Sequence, residues 1–385
     1  MSIPTNNLYN FVAQALENKF LIKYFYPWGE KGFGNIVDNC EDKTPNNQYR
    51  NISSIPVVLC HDQEPLDFDL YSDAQVQLTD WGKQCKQWGY TNLNLRWNNP
   101  TDCNQFWTLL HSERNSPDID RYESTGSFLC AYWWSHALIA RDWYRFALYD
   151  NRLVRQGQDI KANFLVYARG TTGKRAYRTQ FIELLKQIPN VQLGSIDEQV
   201  VTSDTSAEYT PNDFTGTNCS LILETVIDRI HLTEKTLRPI ACGHPFILYN
   251  GSGALETLRS YGFHTFHPYI DESYDKEINP TKRMHMILQE MNRINLSSKK
   301  HQEYIWKGCQ EIASHNKSLF FNDKFLWHIK TELQKNVRTL PNSKVDFRRI
   351  RQMHVGYGRE YRLGLKPQTR RDRVERYLKL KSASV

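Results

Sequence analysis

His231-Leu-Thr-Glu-Lys-Thr-Leu-Arg-Pro-Ile-Ala-Cys-Gly-His-Pro-Phe-Ile-Leu-Tyr-Asn-Gly-Ser-Gly253 runs on through Ala254 to Tyr261 and closes with Gly262-Phe-His-Thr-Phe266. Thr233 is a favourable helix N-cap, Glu234 and Lys235 fall in the first turn, and Leu237, Ile240 and Ala241 recur as an inward face. Gly243 stops that helix. Pro245 to Tyr249 is an apolar run of buried-strand length, and Asn250 to Gly253 is a turn before a second helix over Ala254 to Tyr261. Gly262 ends it before a short strand, Phe263 to Phe266. Helix, strand, glycine turn, helix and strand make half of a doubly wound α/β domain.

Two features of this stretch carry chemistry. An acid and a base at a helix start sit where unpaired N–H groups and the helix dipole favour an anion. Lys235 can meet a phosphate there, and Glu234 can accept hydrogen bonds from two neighbouring ribose hydroxyls. The turn Gly251-Ser252-Gly253 lets main chain approach a ligand closely. Structural explanations stand beside these, because a first-turn glutamate complements the dipole and glycines are common in turns.

Thr233-Glu234-Lys235, a helix of small residues, then Gly243 and Pro245 before an apolar strand, resembles the donor-site motif of the alpha-1,3-fucosyltransferases. The longer string resembles glycosyltransferase-like proteins of large tailed phages. It comprises Glu234-Lys-Thr236 with Pro239, Pro245-Phe-Ile247, Leu255 with Leu258-Arg259, Gly262-Phe263 with Thr265-Phe266, and Asp271-Glu-Ser-Tyr-Asp275. The likeness spans roughly Phe164 to Arg283, under a third of the chain. It implies a glycosyltransferase of the B type: an α/β protein of two Rossmann-like domains facing a cleft, with a nucleotide-sugar as co-substrate and no bound cofactor.

A length of 385 residues suits two domains or one large one, and 40% hydrophobic residues can furnish a core for each half. The eight cysteines are scattered without a Cys-x-x-Cys pair, which argues for reduced thiols and against a disulfide framework or zinc site. Residues 1–10 lack a secretory pattern, and no run reaches the roughly 18 to 20 apolar residues of a membrane span. A cytoplasmic protein is expected, in the host cytoplasm if phage-encoded. The net charge of +7 is uneven, since Lys344 to Val385 holds thirteen Lys and Arg against four acids and the remainder sums to −2. Expected domains are 1–155 on the acceptor side, 156–340 for the nucleotide-sugar, and a basic C-terminal extension over 341–385, with the boundary near Asp150-Asn151.

In the first half, Leu8 to Lys19 reads as a helix and Phe20 to Tyr26 as a strand, with Cys40 to Asn51 as a polar loop. Ile55 to Cys60 is the clearest buried strand, and it runs into His61-Asp62-Gln63-Glu64-Pro65. Ligands of open α/β sheets bind beyond strand carboxyl ends. Glu64, Asp62 or His61 can therefore serve as general base for an acceptor hydroxyl, Glu64 first because Pro65 stiffens its backbone. Val76 to Leu78, Leu93 to Trp97 and Phe128 to Trp134 are further strand candidates, and Ala137 to Leu148 a helix. The Trp133-Trp134 pair and His136 read as packing before ligand contacts.

The second half opens with the strand Phe164 to Tyr167, then Ala168-Arg-Gly-Thr-Thr-Gly-Lys-Arg175 and a helix from about Ala176 to Gln187. Strand, basic glycine loop and helix form a phosphate-binding arrangement. It is not a Walker loop, because two residues separate Gly170 from Gly173 and Arg175 follows Lys174 where Ser or Thr is required. Arg169 takes the role of diphosphate ligand by resemblance to the fucosyltransferase-like enzymes, with Lys174 assisting and Arg178 one turn beyond. Since Arg169, Lys174 and Lys235 can offset diphosphate charge, no metal is expected. Val191 to Gly194 and Ser220 to Leu223 are the next strands, Asp271 to Asp275 a helix-capping loop, and three helices follow from Arg283, the last crossing back to the first domain.

The extension interleaves Tyr357, Tyr361 and Tyr377 with Arg348, Arg349, Arg351, Arg359, Arg362, Arg370, Arg371 and Arg373, a pattern suited to neutralising phosphates and stacking on bases. With the phage resemblance it points to transfer of a sugar onto a hydroxylated base in DNA. A surface glycan or lipid-linked saccharide is the alternative acceptor, and a non-enzymatic nucleic-acid-binding protein with a degenerate nucleotide fold is the alternative from another class.

Overall fold

Thr217-Asn-Cys-Ser-Leu-Ile-Leu223 is buried at every position, as a strand covered on both faces must be. In the computed structural model, which describes residues 5–17, 20–25, 40–42, 57–61, 64–68, 107–124, 128–155, 160–168, 170–194 and 206–340, this strand lies inside a parallel sheet. In chain order the elements begin with α1 (Thr5–Ala15), β1 (Leu21–Phe25), β2 (Cys40–Asp42), β3 (Val57–His61), β4 (Trp107–His111), β5 (Glu113–Arg114), α2 (Pro117–Ser124) and β6 (Phe128–Tyr132). There follow α3 (Ser135–Trp143), β7 (Ala162–Tyr167), α4 (Tyr177–Leu185), β8 (Val191–Leu193), α5 (Pro211–Thr215) and β9 (Thr217–Leu223). The last are β10 (Ile230–His231), α6 (Glu234–Cys242), β11 (Phe246–Tyr249), α7 (Ala254–Ser260), α8 (Pro280–Leu296), α9 (Lys299–Phe321) and α10 (Asp323–Arg338).

The chain is α/β and divides into two compact units. The first holds Thr5–His111, Asn115–Trp133 and the chain from Lys330, and the second holds Ser112–Arg114 and Trp134–Ile329. Residues 134–155, placed by the sequence with the N-terminal domain, thus fall in the second unit.

The second unit carries a four-stranded sheet in the order β11-β9-β7-β8, every pair parallel. β8 lies on one side of β7 and β9 on the other. The winding therefore reverses between β7 and β9, and the loops leaving their carboxyl ends diverge there, as at the switch point of a doubly wound sheet. α6 is the crossover from β9 to β11. Thr233 caps its start, and Gly243, at φ +69, ends it with His244 N–H bonded to the Pro239 carbonyl at 2.9 Å. A short antiparallel ribbon, β5 with β10, completes the unit.

The first unit's sheet runs β2-β1-β3-β4-β6, its parallel strands standing in chain order with antiparallel β2 on the edge. No reversal of winding occurs among the described strands of this sheet. The end of α10 belongs here, with Gln334 Nε2 donating to the Ala15 carbonyl and Asn336 Nδ2 to the Tyr132 carbonyl. Among the described residues no helix is long and apolar enough to cross a membrane.

Several elements depart from expectation. Phe263 to Phe266 is irregular instead of a strand, because the buried Asn316 amide bonds both main-chain groups of His264 in place of a neighbouring strand. Cys40 to Asp42 pairs as an edge strand where a loop was expected. β4 had no counterpart in the sequence reading, its apolar core being only a few residues between polar flanks. The strand candidates 76–78 and 93–97, Asp62, Arg169 and the whole extension 341–385, including Arg348, Arg349, Arg351, Arg359, Arg362, Arg370, Arg371 and Arg373, lie outside the described residues.

Candidate nucleotide site

Loops from β7, β9 and β11 all emerge on the carboxyl edge of the second unit's sheet, since these strands are parallel. After β7, Gly170 at φ +65 and Gly173 at φ +57 take left-handed backbone that side chains resist, which shapes a tight turn over residues 170–175. Lys174 is exposed on this turn, and the Arg175 side chain folds back near Gly170. Arg178, offered by the sequence as a further phosphate contact, is fully buried. Its Nη2 donates to the Leu223 carbonyl at 2.7 Å and the Glu224 carbonyl at 3.1 Å, and its Nη1 to the Gly170 carbonyl at 3.3 Å. Tyr177 adds a hydroxyl donated to the Glu224 carbonyl. The guanidinium thus pins the edges of β7 and β9 together and is spent on main chain.

Glu224, the residue directly after β9, is also completely buried. Its Oε1 accepts from Thr233 N–H at 2.9 Å and the Thr236 hydroxyl at 2.6 Å, and its Oε2 accepts from the Thr233 hydroxyl at 2.6 Å. The helix start that the sequence offered to a ligand anion already holds an internal carboxylate.

Glu234 and Lys235, in the next turn, are paired at 2.6 Å and partly reachable by solvent. Burial opposes ionisation of Glu234, but Lys235, paired with it, and Arg238 outweigh it and hold the carboxyl well below the usual range. One turn on, Arg238 lies 5.2 Å from the centre of the Tyr167 ring. Behind this turn His231 is buried, its Nε2 3.1 Å from the Ser112 hydroxyl and its ring edge-on to His136 at 4.9 Å. Burial, with His136 and Lys235 nearby, keeps His231 neutral. The fixed carboxylate can accept from a diol, and the ammonium and guanidinium beside it can donate to an anion.

The glycine turn after β11 is tied into the fold on two sides. A Cβ on Gly251 would stand 2.3 Å from the Arg229 carbonyl, so the glycine makes room for main chain. Ser252 Oγ and Gly253 N–H both donate to the Asp275 carbonyl, at 3.0 and 2.8 Å. Asp275 Oδ1 accepts from Leu255 N–H at 3.1 Å, so the acidic loop caps α7. Gly251, Ser252 and Gly253 therefore serve the fold. Among the described residues no group of three or more His, Cys, Asp or Glu is placed to hold a metal.

In the first unit, His61 is the last residue of β3 and buried, and Glu64 is half-buried three residues beyond. His111 ends the neighbouring parallel strand β4, buried, with its ring 6.4 Å from that of Tyr132. The sequence reading passed over His111 because β4 itself went unrecognised. Glu224 is legible in the sequence as the charged residue that closes an apolar strand, but its buried partners are not.

No protein-family model matches this chain, and no curated protein or solved structure does either.

Proposed function

We propose that the protein is a glycosyltransferase of the B type whose nucleotide-sugar donor binds at the carboxyl edge of the second unit's sheet. The observation that carries the proposal is the meeting of the β7 turn and the start of α6 at the switch point, joined through Arg178 and Glu224. Glu234 accepts hydrogen bonds from the donor's ribose. Lys235 and Lys174, with Arg169 by resemblance, offset the charge of the departing diphosphate. Glu64, Asp62 or His61 takes the acceptor's proton. The acceptor is a hydroxylated base in DNA, drawn to the +9 segment from Lys344 and flipped from the duplex to be reached.

A thermal-shift screen of nucleotide-sugars tests the donor, with stabilisation by at least one expected. Turnover should fall by about tenfold or more in Glu234→Ala and in Arg169→Ala. Unchanged turnover in both removes the donor from this edge. Salt-sensitive duplex binding without any nucleotide-sugar effect would identify a binding protein instead. Transfer to a saccharide and not to hydroxylated DNA would move the acceptor.

A further inference from the structure

We infer that Glu224 is the positioning residue that aims the first turn of α6 at a nucleotide; this rests on the function proposed above. One residue performs two attachments. Its carboxylate, wholly buried, receives three hydrogen bonds from Thr233 and Thr236. Its main-chain carbonyl receives the Tyr177 hydroxyl and the Arg178 guanidinium, which also reaches Gly170. Glu234 and Lys235 lie between the two threonines that Glu224 holds. Their directions are therefore set by a residue for which no direct contact with either is needed. The β7 turn is tied to the same point from the other side. A carboxylate already takes the Thr233 N–H at the helix end, so the charged side chains of the first turn carry the attraction for a diphosphate.

Glu224→Gln keeps the shape but removes the charge, and its amide nitrogen forces the Thr233 hydroxyl to turn from donor to acceptor. Calorimetry with UDP and GDP is the probe. On the tighter diphosphate, Glu224→Gln and Lys235→Ala should each weaken binding by about tenfold. Adding Glu224→Gln to a Glu234→Ala/Lys235→Ala background should weaken binding no further, because Glu224 acts through those two side chains. Losses that multiply would overturn the inference. Amide exchange supplies a ligand-free readout, with residues 234–237 expected to exchange faster in Glu224→Gln while α8 is unchanged. Equal exchange would also overturn it. Should the Gln variant fail to fold, Thr236→Val removes a single donor and must show the same non-additivity. If wild-type protein binds neither diphosphate, the nucleotide reading fails, and the exchange result still decides what Glu224 holds.

Discussion

Gly251 shows how one position is dictated by its neighbours. Alanine there would drive a methyl into the Arg229 main chain, which cannot rotate away as a side chain can. Gly251→Ala should lower the unfolding free energy by about 1–3 kcal/mol or more, read from urea midpoints. His244 makes a second residue-scale prediction. It is buried, with Nε2 3.0 Å from the Thr217 carbonyl and Nδ1 2.9 Å from the Ser220 hydroxyl. A carbonyl only accepts, so Nε2 carries the proton and the ring is neutral. Burial lowers its pKa from 6.5 to about 3, against a smaller rise from the bond to Thr217. The unfolded chain protonates this histidine near its ordinary value while the folded one does not, so stability falls as pH drops from about 6.5 toward 3. His244→Gln, which cannot take up the proton, should shrink the stability loss between pH 7 and 5 by about 2 kcal/mol. An equal loss in the variant would show that the proton goes elsewhere.

At the scale of elements, β7, β9, α4 and α6 act as one assembly around Arg178 and Glu224. Arg178→Met fills similar space but removes the donor to the carbonyls of Gly170, Leu223 and Glu224, the last keeping only the Tyr177 hydroxyl among these donors. About 2–5 kcal/mol of stability should be lost by chemical denaturation, the range for breaking a buried charged network. Both ends of α6 were readable from the chain because they are local: Thr233 before the first turn and Gly243 after the last. The glycine turn was readable as a turn, but its tertiary partners were not. Its partners, Arg229 and Asp275, lie more than twenty residues away on either side of it and leave no local mark.

For the whole molecule, charge distribution makes the clearest prediction. If the segment from Lys344 binds duplex DNA, the full chain should show log affinity falling linearly with log salt, by about 0.9 for each phosphate neutralised. A chain ending at Leu340 should lose most of that slope in fluorescence anisotropy and keep its nucleotide-sugar stabilisation. A retained slope would place the phosphate contacts in the body.

Read alone, the chain specified the periodic apolar runs, the caps and turns, the α/β class and the lopsided charge, because each depends on residues within a turn or two of one another. Strand order and the occupant of the α6 start were settled only by tertiary structure. Glu224 reaches Thr233 across nine residues, Arg178 reaches Glu224 across 46, and Ser112 meets His231 across 119. Hydrogen bonds over such separations depend on how strands wind around one another, and a local pattern holds no record of that.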